Sequence, residues 1–180
     1  EHFGVTPDIL LFGKTLTNGL NPLSGLWASE EVISPDIFPP GSTYSTYAPN
    51  PQGLALALEV LRLLDEDDYE KKIMEKGQYF LAHLRKLQFK YPGIIGNVNG
   101  FGLALRIELC QKDGITPNPE LAQKVCQEGF KGNLTLDGKK YGLILNVGGY
   151  YKNVFSLSPS FEVSREEMDM AAEFLDLLIG

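Results

Sequence analysis

The sequence predicts an α/β protein in two parts, and three observations support that prediction. Residues 8–12 are a short apolar run bounded by Pro7 and Gly13, which favours a buried strand over a half-exposed one. Residues 50–64 begin with an Asn-Pro pair and are apolar nearly all round, as expected of a helix inside a larger assembly. Residues 103–109 alternate between apolar and polar side chains, the pattern of a half-buried strand.

The first part also contains a second strand and a long loop. Residues 17–22 have the asparagine, glycine and proline content of a turn, and residues 23–28 are predicted to form a strand after it. Residues 34–47 contain three prolines and many hydroxyl side chains, which indicates an irregular loop. A loop of this length is more often functional than idle. We do not expect this part of the chain to stand alone.

A long helix leads from the first part to the second. After a break at residues 65–68, apolar side chains recur at spacings of three and four until Pro92 and Gly93 end the pattern. Beyond it, Asn118 and Pro119 are predicted to begin a helix that ends near residue 130, and strands are predicted at 143–147 and 154–157. Residues 164–167 have the pattern of a capping box that opens a last helix. This order of helices and strands predicts a small α+β domain with an antiparallel sheet and helices on one face. The predicted divisions are 1–64 for the end of a larger domain, 65–91 for the connecting helix and 92–180 for the small domain.

Charge and composition exclude several classes of function. The chain has 16 basic and 23 acidic residues and a net charge of −7, which argues against binding to nucleic-acid phosphates. No apolar run reaches the roughly 18 residues of a membrane span. Two cysteines and two histidines make neither a disulfide framework nor a metal centre. We therefore expect no metal, no nucleic-acid or membrane partner, and a reducing, cytoplasmic setting.

Lys14 is the first candidate for chemistry. It follows an apolar strand and one glycine, and it precedes a Thr-Asn-Gly turn. A lysine at the end of a strand has a rigid backbone and can reach into a pocket, and an amine nucleophile needs that placement. The competing interpretation is a surface lysine that ends a strand.

The hydroxyl-rich loop at residues 41–47 is the second candidate. Its serines and threonines are closely spaced just before the helix predicted to begin at Asn50. Hydroxyl groups and a helix N-terminus both favour anions, and phosphate in particular. An ordinary polar loop is the competing interpretation.

Four motifs in register resemble the class III aminotransferases, and their order and spacing agree along nearly the whole chain. The shared segments are, in chain order, EHFGVTPDI at 1–9 with GK at 13–14, STY at 45–47 with NP at 50–51, GFGL at 100–103 with IEL at 107–109, and LSP at 157–159. One such motif is weak evidence, whereas four in register identify the chain as a member of this family.

The resemblance implies a fold-type-I enzyme that depends on pyridoxal 5'-phosphate. This chain would supply the end of the large α/β domain and a small C-terminal α+β domain with an antiparallel sheet. Lys14 corresponds to the catalytic lysine that holds the cofactor as a Schiff base. Ser45 and Thr46 correspond to cofactor-binding residues, and Thr46 contacts the phosphate of the neighbouring subunit. The resemblance therefore implies a homodimer with shared active sites, acting on small-molecule amines and oxo acids.

Three departures from the family pattern affect what we expect. The chain begins after the family's Asp-Glu-Val segment, so the aspartate that pairs with the pyridine nitrogen is not in it, and we expect the chain alone to be inactive. Ser156 and Asn99 stand where the family has arginines, which affects amino-acid specificity rather than the chemistry. We expect a substrate carboxylate to be held by residues outside this chain; the alternatives are Lys152 or no comparable group. Arg106 lies on the polar face of its strand, and we expect it to be solvated, with a position near a cleft as the alternative.

The expected activity is transfer of an amino group between an amine or amino acid and a 2-oxo acid. The freed Lys14 amine would move a proton between the substrate carbon and the cofactor, which supplies the electron sink. Two alternatives stay open. One is another reaction on the same scaffold, such as that of an aminomutase, which releases no free oxo acid. The other is an assembly fragment without activity of its own.

Overall fold

The computed structural model describes residues 2–42, 44–46, 48 and 50–180. It divides into two compact units, Glu1–Asp68 and Tyr69–Gly180. Both units combine helices with antiparallel strands, and the α/β class predicted from the sequence is confirmed. Within the described residues, no helix is both long enough and apolar enough to cross a membrane.

The first unit has a two-stranded ribbon followed by one long helix. Strand β1 (Ile9–Phe12) pairs antiparallel with β2 (Gly25–Ala28). A 3-10 turn, Lys14–Thr17, follows β1 almost directly. Helix α1 (Pro51–Glu66) begins where the Asn50 side chain accepts a hydrogen bond from the Gly53 amide at 3.2 Å. The Asn-Pro pair thus caps the helix as predicted.

The ribbon is not buried, so the prediction of a buried first strand is wrong for this chain. All four β1 residues are exposed, and Leu11 is exposed by 74%. Among the described residues, β2 is the only strand paired with β1, and no second layer covers the ribbon. Helix α1 likewise buries only Gly53 and Ala57. An apolar surface of this extent is typical of a face that packs against further protein.

The second unit contains a four-stranded antiparallel sheet in the order β3, β4, β8, β7. A separate hairpin pairs β5 with β6. The strands are β3 (Ile95–Phe101), β4 (Ala104–Leu109), β5 (Leu134–Leu136), β6 (Lys139–Tyr141), β7 (Asn146–Gly148) and β8 (Val154–Leu157). The helices are α2 (Tyr69–Lys90), α3 (Pro119–Phe130) and α4 (Arg165–Ile179).

Alternation along β4 decides which face of this sheet is buried. Leu105, Ile107 and Leu109 are buried, whereas Arg106 between them is exposed. Phe155 of β8, also fully buried, lies opposite Ile107 in the ladder. These side chains form one core with apolar residues of α2, α3 and α4. The helices therefore cover one face of the sheet, and the opposite face carries the polar side chains.

The capping box predicted for the last helix is present. The Ser164 hydroxyl accepts a hydrogen bond from the Glu167 amide at 3.1 Å, and the Glu167 carboxylate accepts one from the Ser164 amide at 2.8 Å. Both backbone N–H groups would otherwise lack a partner inside the helix.

Strand β3 and the β5–β6 hairpin were not predicted. β3 reads IGNVNGF, and its glycines and asparagines are more typical of turns than of strands. Gly100 has φ of 156°, and a Cβ atom there would lie 2.4 Å from the Ala104 carbonyl oxygen. Pairing with β4 therefore needs glycine at this position, a requirement that becomes visible only when the partner strand is in place. The strand predicted at 143–147 is shorter and later, at Asn146–Gly148.

Candidate active site

Lys14 lies at the end of a strand, on a turn that holds its backbone. In this turn the Leu16 amide donates to the Gly13 carbonyl at 3.1 Å, and the Asn18 amide donates to the Thr15 carbonyl at 2.9 Å. Lys14 has φ of 52°, in the left-handed region that residues other than glycine seldom adopt. Its side chain is exposed. Residues with such a backbone cluster at functional sites, which supports a role for this lysine.

Hydrogen bonds made by side chains tie this turn to the start of α1. Thr17 is completely buried, and its hydroxyl donates to the Asn21 carbonyl. The Asn21 side-chain oxygen accepts a hydrogen bond from Nδ2 of Asn50, the α1 cap, at 2.5 Å. The Asn50 cap was predicted from the sequence, whereas the roles of Thr17 and Asn21 were not, because their partners are set by folding. The network holds the Lys14 turn against the N-terminus of α1.

Lys14 lines a cavity of about 650 Å³ in the first unit. The other lining residues are Pro22, Leu23, Ser24, Ser45, Ala48, Asn50 and Leu54. Two of the predicted site residues, Lys14 and Ser45, are therefore brought together. Thr46 is exposed and is not among the lining residues. Thr43 and Tyr47 of the same predicted loop lie outside the described residues.

The polar groups of this cavity suit a ligand that has both a carbonyl and an anionic group. An amine on a fixed stem adds to a carbonyl. The hydroxyls of Ser24 and Ser45 and the N-terminus of α1 favour an anion. This set fits the aldehyde and the phosphate of pyridoxal 5'-phosphate. None of the described residues that line the cavity is acidic, so a carboxylate for the pyridine nitrogen would come from elsewhere.

A second cavity, of about 400 Å³, lies on the polar face of the sheet in the second unit. Its lining residues are Asn97, Asn99, Arg106, Glu108, Gly149, Val154 and Ser156. Arg106 of β4 lies opposite Asn99 of β3 on one side and opposite Ser156 of β8 on the other. Asn99 and Ser156, where the resemblance implies arginines, therefore lie on either side of Arg106 in the sheet.

Two sequence expectations about carboxylate recognition can be compared with this geometry. Arg106 is exposed, as expected of a solvated residue, yet it also lines the polar cavity. Lys152 is exposed in the turn between β7 and β8 and is not among the lining residues. The register that places Arg106 beside Ser156 is not visible in the sequence.

Solved transaminase structures share the architecture of this chain. The S-selective transaminase from Arthrobacter sp. with alanine bound superposes with a TM-score of 0.81 at 26% identity, covering 99% of this chain and 39% of its own. A phospholyase from Arthrobacter in complex with phosphoethanolamine gives a TM-score of 0.84 at 26% identity, with 99% and 40% covered. The fold therefore has the fold-type-I transaminase architecture.

The family follows from the sequence comparison. The family model for the class III aminotransferases matches residues 1–179, and the chain belongs to that family. It is 30% identical to an alanine/serine racemase from Pyrococcus horikoshii over 99% of this chain and 35% of the racemase. It is 34% identical to a 5-aminovalerate aminotransferase from Pseudomonas putida over 82% of this chain. The chain thus spans about a third of the length of these relatives, 35% and 34%.

Proposed function

We propose that this chain carries the cofactor lysine and the small domain of a pyridoxal-phosphate-dependent aminotransferase. The proposed reaction moves an amino group between an amine or amino acid and a 2-oxo acid. The observation that carries the proposal is the position of Lys14, on a hydrogen-bonded turn and lining one cavity with Ser45. Lys14 belongs to a chain that the family model for the class III aminotransferases matches over residues 1–179.

Lys14 has two tasks in this proposal. Its amine would hold the aldehyde of the cofactor, and once free it would carry a proton from the amine-bearing carbon of the substrate to the cofactor. When bound, the cofactor supplies the electron sink for this chemistry. The hydrogen bonds of Thr17 and Asn21 keep the stem of the lysine in place for both tasks.

Ser45 and Thr46 are proposed to contact cofactor phosphates in two different sites. Ser45 lines the same cavity as Lys14, so its hydroxyl would donate to the phosphate bound there. Thr46 is exposed and does not line that cavity, which suits a contact with the phosphate held by a neighbouring subunit. The functional unit in this proposal is a homodimer with shared active sites. We place it in the reducing cytoplasm, in keeping with the free thiols of Cys110 and Cys126.

The test is covalent trapping of the cofactor in the complete polypeptide, including any residues that precede this chain. Borohydride reduction followed by peptide mapping should label Lys14, and Lys14→Ala should abolish both the label and transamination. Lys139→Ala is the matched control, since Lys139 is an exposed lysine of the β5–β6 hairpin. Labelling at Lys139 or Lys140 instead of Lys14 would contradict the assignment.

Other cofactor chemistry on the same scaffold is the second candidate. Two similar proteins are named for other reactions, a racemase and a phospholyase. Release of oxo acid in step with consumption of the amine supports an aminotransferase. Conversion of one enantiomer or isomer into another without released oxo acid favours a racemase or an aminomutase. An assembly role without catalysis predicts no cofactor label at Lys14.

A further inference from the structure

A third cavity, of about 500 Å³, lies along one side of α4 in the second unit, and we call it the α4 cleft. Helix α4 contributes Glu167, Met170, Ala171 and Phe174. Their positions, i, i+3, i+4 and i+7, place them on one face of the helix. The remaining wall comes from Tyr141, at the end of β6, with the residues after it, and from the loop between β8 and α4. None of the residues that line this cleft also lines the Lys14 cavity or the cavity beside Arg106.

The inner part of the α4 cleft is apolar and aromatic. The ring centroids of Tyr141 and Phe174 lie 5.6 Å apart, and Phe174 is only 2% exposed. Met170 adds a thioether, which packs favourably against aromatic rings. Leu143 and Val163 extend the apolar lining. This part of the cleft therefore suits an aromatic group of a ligand.

Two carboxylates lie at the solvent side of the cleft. Glu162 and Glu167 both line it and are both exposed. Glu162 accepts a hydrogen bond from the Tyr69 hydroxyl at 2.6 Å, which lowers the pKa of Glu162 below its ordinary value of 4.5. Glu167 accepts one from the Ser164 amide at 2.8 Å. Because a carboxylate has about four acceptor sites, each of the two can accept a further hydrogen bond from a ligand.

The lysines near these carboxylates have partners of their own. Lys76 donates a hydrogen bond to the Phe161 carbonyl, and Lys72 Nζ lies 4.9 Å from the centroid of the Tyr69 ring. Both lysines also help to lower the pKa of Glu162, so their charges are close to that carboxylate. Neither lysine lines the cleft, and none of the described residues that do line it is basic. A ligand inside the cleft therefore meets carboxylates and no ammonium group.

We propose that the α4 cleft binds an organic ammonium ion that carries an aromatic group. The aromatic group packs against Tyr141, Met170 and Phe174, and the ammonium donates hydrogen bonds to the carboxylates of Glu162 and Glu167. Charge complementarity selects this class of ligand, because the lining holds two carboxylates and no basic side chain. The proposal does not rest on the proposed function, since the cleft shares no residue with the Lys14 cavity.

The binding test uses the 180-residue chain without cofactor, and the probe is 2-phenylethylammonium. Two comparison compounds keep the apolar body: 2-phenylethanol removes the charge, and 3-phenylpropionate reverses it. In an NMR titration, the ammonium should shift the amide signals of Tyr141, Ala171 and Phe174. Its Kd should be about 5- to 25-fold lower than that of the alcohol, as expected for two partly exposed ion pairs. The propionate should give no saturable shift, and ethylammonium, which lacks the ring, should bind more weakly than the probe.

Three conservative variants test the carboxylates. Glu162→Gln and Glu167→Gln should each raise the Kd for the ammonium by about 2- to 5-fold, and glutamine at position 167 still satisfies the capping box. Glu166→Gln is the matched control, because Glu166 is an exposed carboxylate of the same helical turn that does not line the cleft. Its Kd should stay unchanged.

A fourth variant tests the cleft itself. Ala171→Leu adds three carbon atoms to a lining residue, and it should abolish binding of both the ammonium and the alcohol. The proposal is overturned if the ammonium does not bind, if the alcohol binds as tightly, or if Glu166→Gln weakens binding as much as Glu162→Gln and Glu167→Gln do. Because neither cofactor nor Lys14 takes part in these measurements, failure of the proposed aminotransferase activity would be a separate result.

Discussion

The buried hydroxyl of Thr17 controls how firmly the Lys14 turn is held. Thr17→Val removes the hydrogen bond to the Asn21 carbonyl but keeps the shape of the side chain. The change leaves a polar group without a partner, at a cost of about 1–3 kcal/mol. We expect faster amide hydrogen exchange over residues 14–21. Thr15→Val is the matched control, since Thr15 lies in the same turn and is exposed; equal exchange in both variants would show that the hydroxyl is not an anchor.

Position 156 provides a test of specificity in the complete enzyme. Ser156 offers one hydroxyl next to Arg106, whereas an arginine would offer a second fork for carboxylates. We expect Ser156→Arg to change the ranking of amine substrates far more than the rate of cofactor binding. The matched substrates are 5-aminovalerate and pentylamine, which differ only in the carboxylate. An unchanged ratio of their kcat/KM values would mean that position 156 does not face the substrate.

At the scale of residues, the sequence indicated the candidate site residues better than the residues that support them. Lys14 and Ser45 are candidates because a family motif and an amine at a strand end point to them directly, and both line one cavity. Asn21 and Asn50 are 29 positions apart in the chain, and Arg106 and Ser156 are 50 apart. A pairing over such a distance depends on the register of folded elements, which local patterns do not specify.

Helix α2 packs against the β3–β4 turn so closely that one glycine in it cannot carry a side chain. A Cβ atom on Gly77 would lie 2.1 Å from the Gly102 carbonyl oxygen. In an exposed helix, Gly→Ala stabilises by about 0.5–1 kcal/mol. Here we expect the opposite sign, because the added atom overpacks the contact, with a loss of about 1–3 kcal/mol. Urea unfolding measures this, and Gln78→Ala at the next, exposed position should be nearly neutral.

The end of α2 is bound to α4 by a carboxylate that responds to pH. Lys90 Nζ lies 2.7 Å from Oδ2 of Asp176, and the Tyr91 hydroxyl donates to Oδ1 at 2.7 Å. These hydrogen bonds, first from Lys90 and then from Tyr91, lower the pKa of Asp176 below its ordinary value of 3.8. Because the folded pKa is depressed, the stabilisation is complete above pH 3.8 and is lost as the pH falls through the folded pKa.

Asp176→Asn should therefore destabilise the second unit by about 1 kcal/mol at neutral pH, a value that allows for partial exposure of the pair. The difference from the unchanged chain should shrink as the pH is lowered below the ordinary carboxyl pKa. Urea unfolding at several pH values gives the measurement. Glu173→Gln, on the exposed side of α4, is the control and should show no such trend. A difference that stays constant with pH would show that packing, not charge, links the helices.

At the scale of elements, prediction succeeded where one local signal determined the structure. The N-caps of α1, α3 and α4 and the alternating burial of β4 can be recognised from residues that are close together in the sequence. Prediction failed where a neighbouring strand determines the structure. The glycines and asparagines of β3 form a strand only because β3 pairs with β4. Prediction also failed for the burial of β1, since burial depends on a covering layer and not on the strand itself.

At the scale of the whole molecule, the two units differ in whether they enclose an apolar core of their own. The second unit encloses a core built from three helices and a sheet. The first unit presents an amine, hydroxyls and a helix N-terminus to a cavity without an acidic lining residue among those described. We therefore expect the 180-residue chain to bind pyridoxal 5'-phosphate poorly, because the ring nitrogen lacks a charge-assisted hydrogen bond worth about 1.5–3 kcal/mol. Tight binding by this chain alone in an absorbance titration would contradict that expectation.

The exposed β1–β2 ribbon also bears on the fate of the chain inside a cell. Ile9, Leu10 and Leu11 are all at least 49% exposed, and the edge strand they form carries N–H and C=O groups that can pair with another chain. Chaperones and proteases recognise exposed apolar segments of this kind in incompletely folded or unassembled proteins. The lifetime of the polypeptide would then depend on how quickly this ribbon is covered, and Lys14, two residues after β1, would lie next to the segment that triggers degradation.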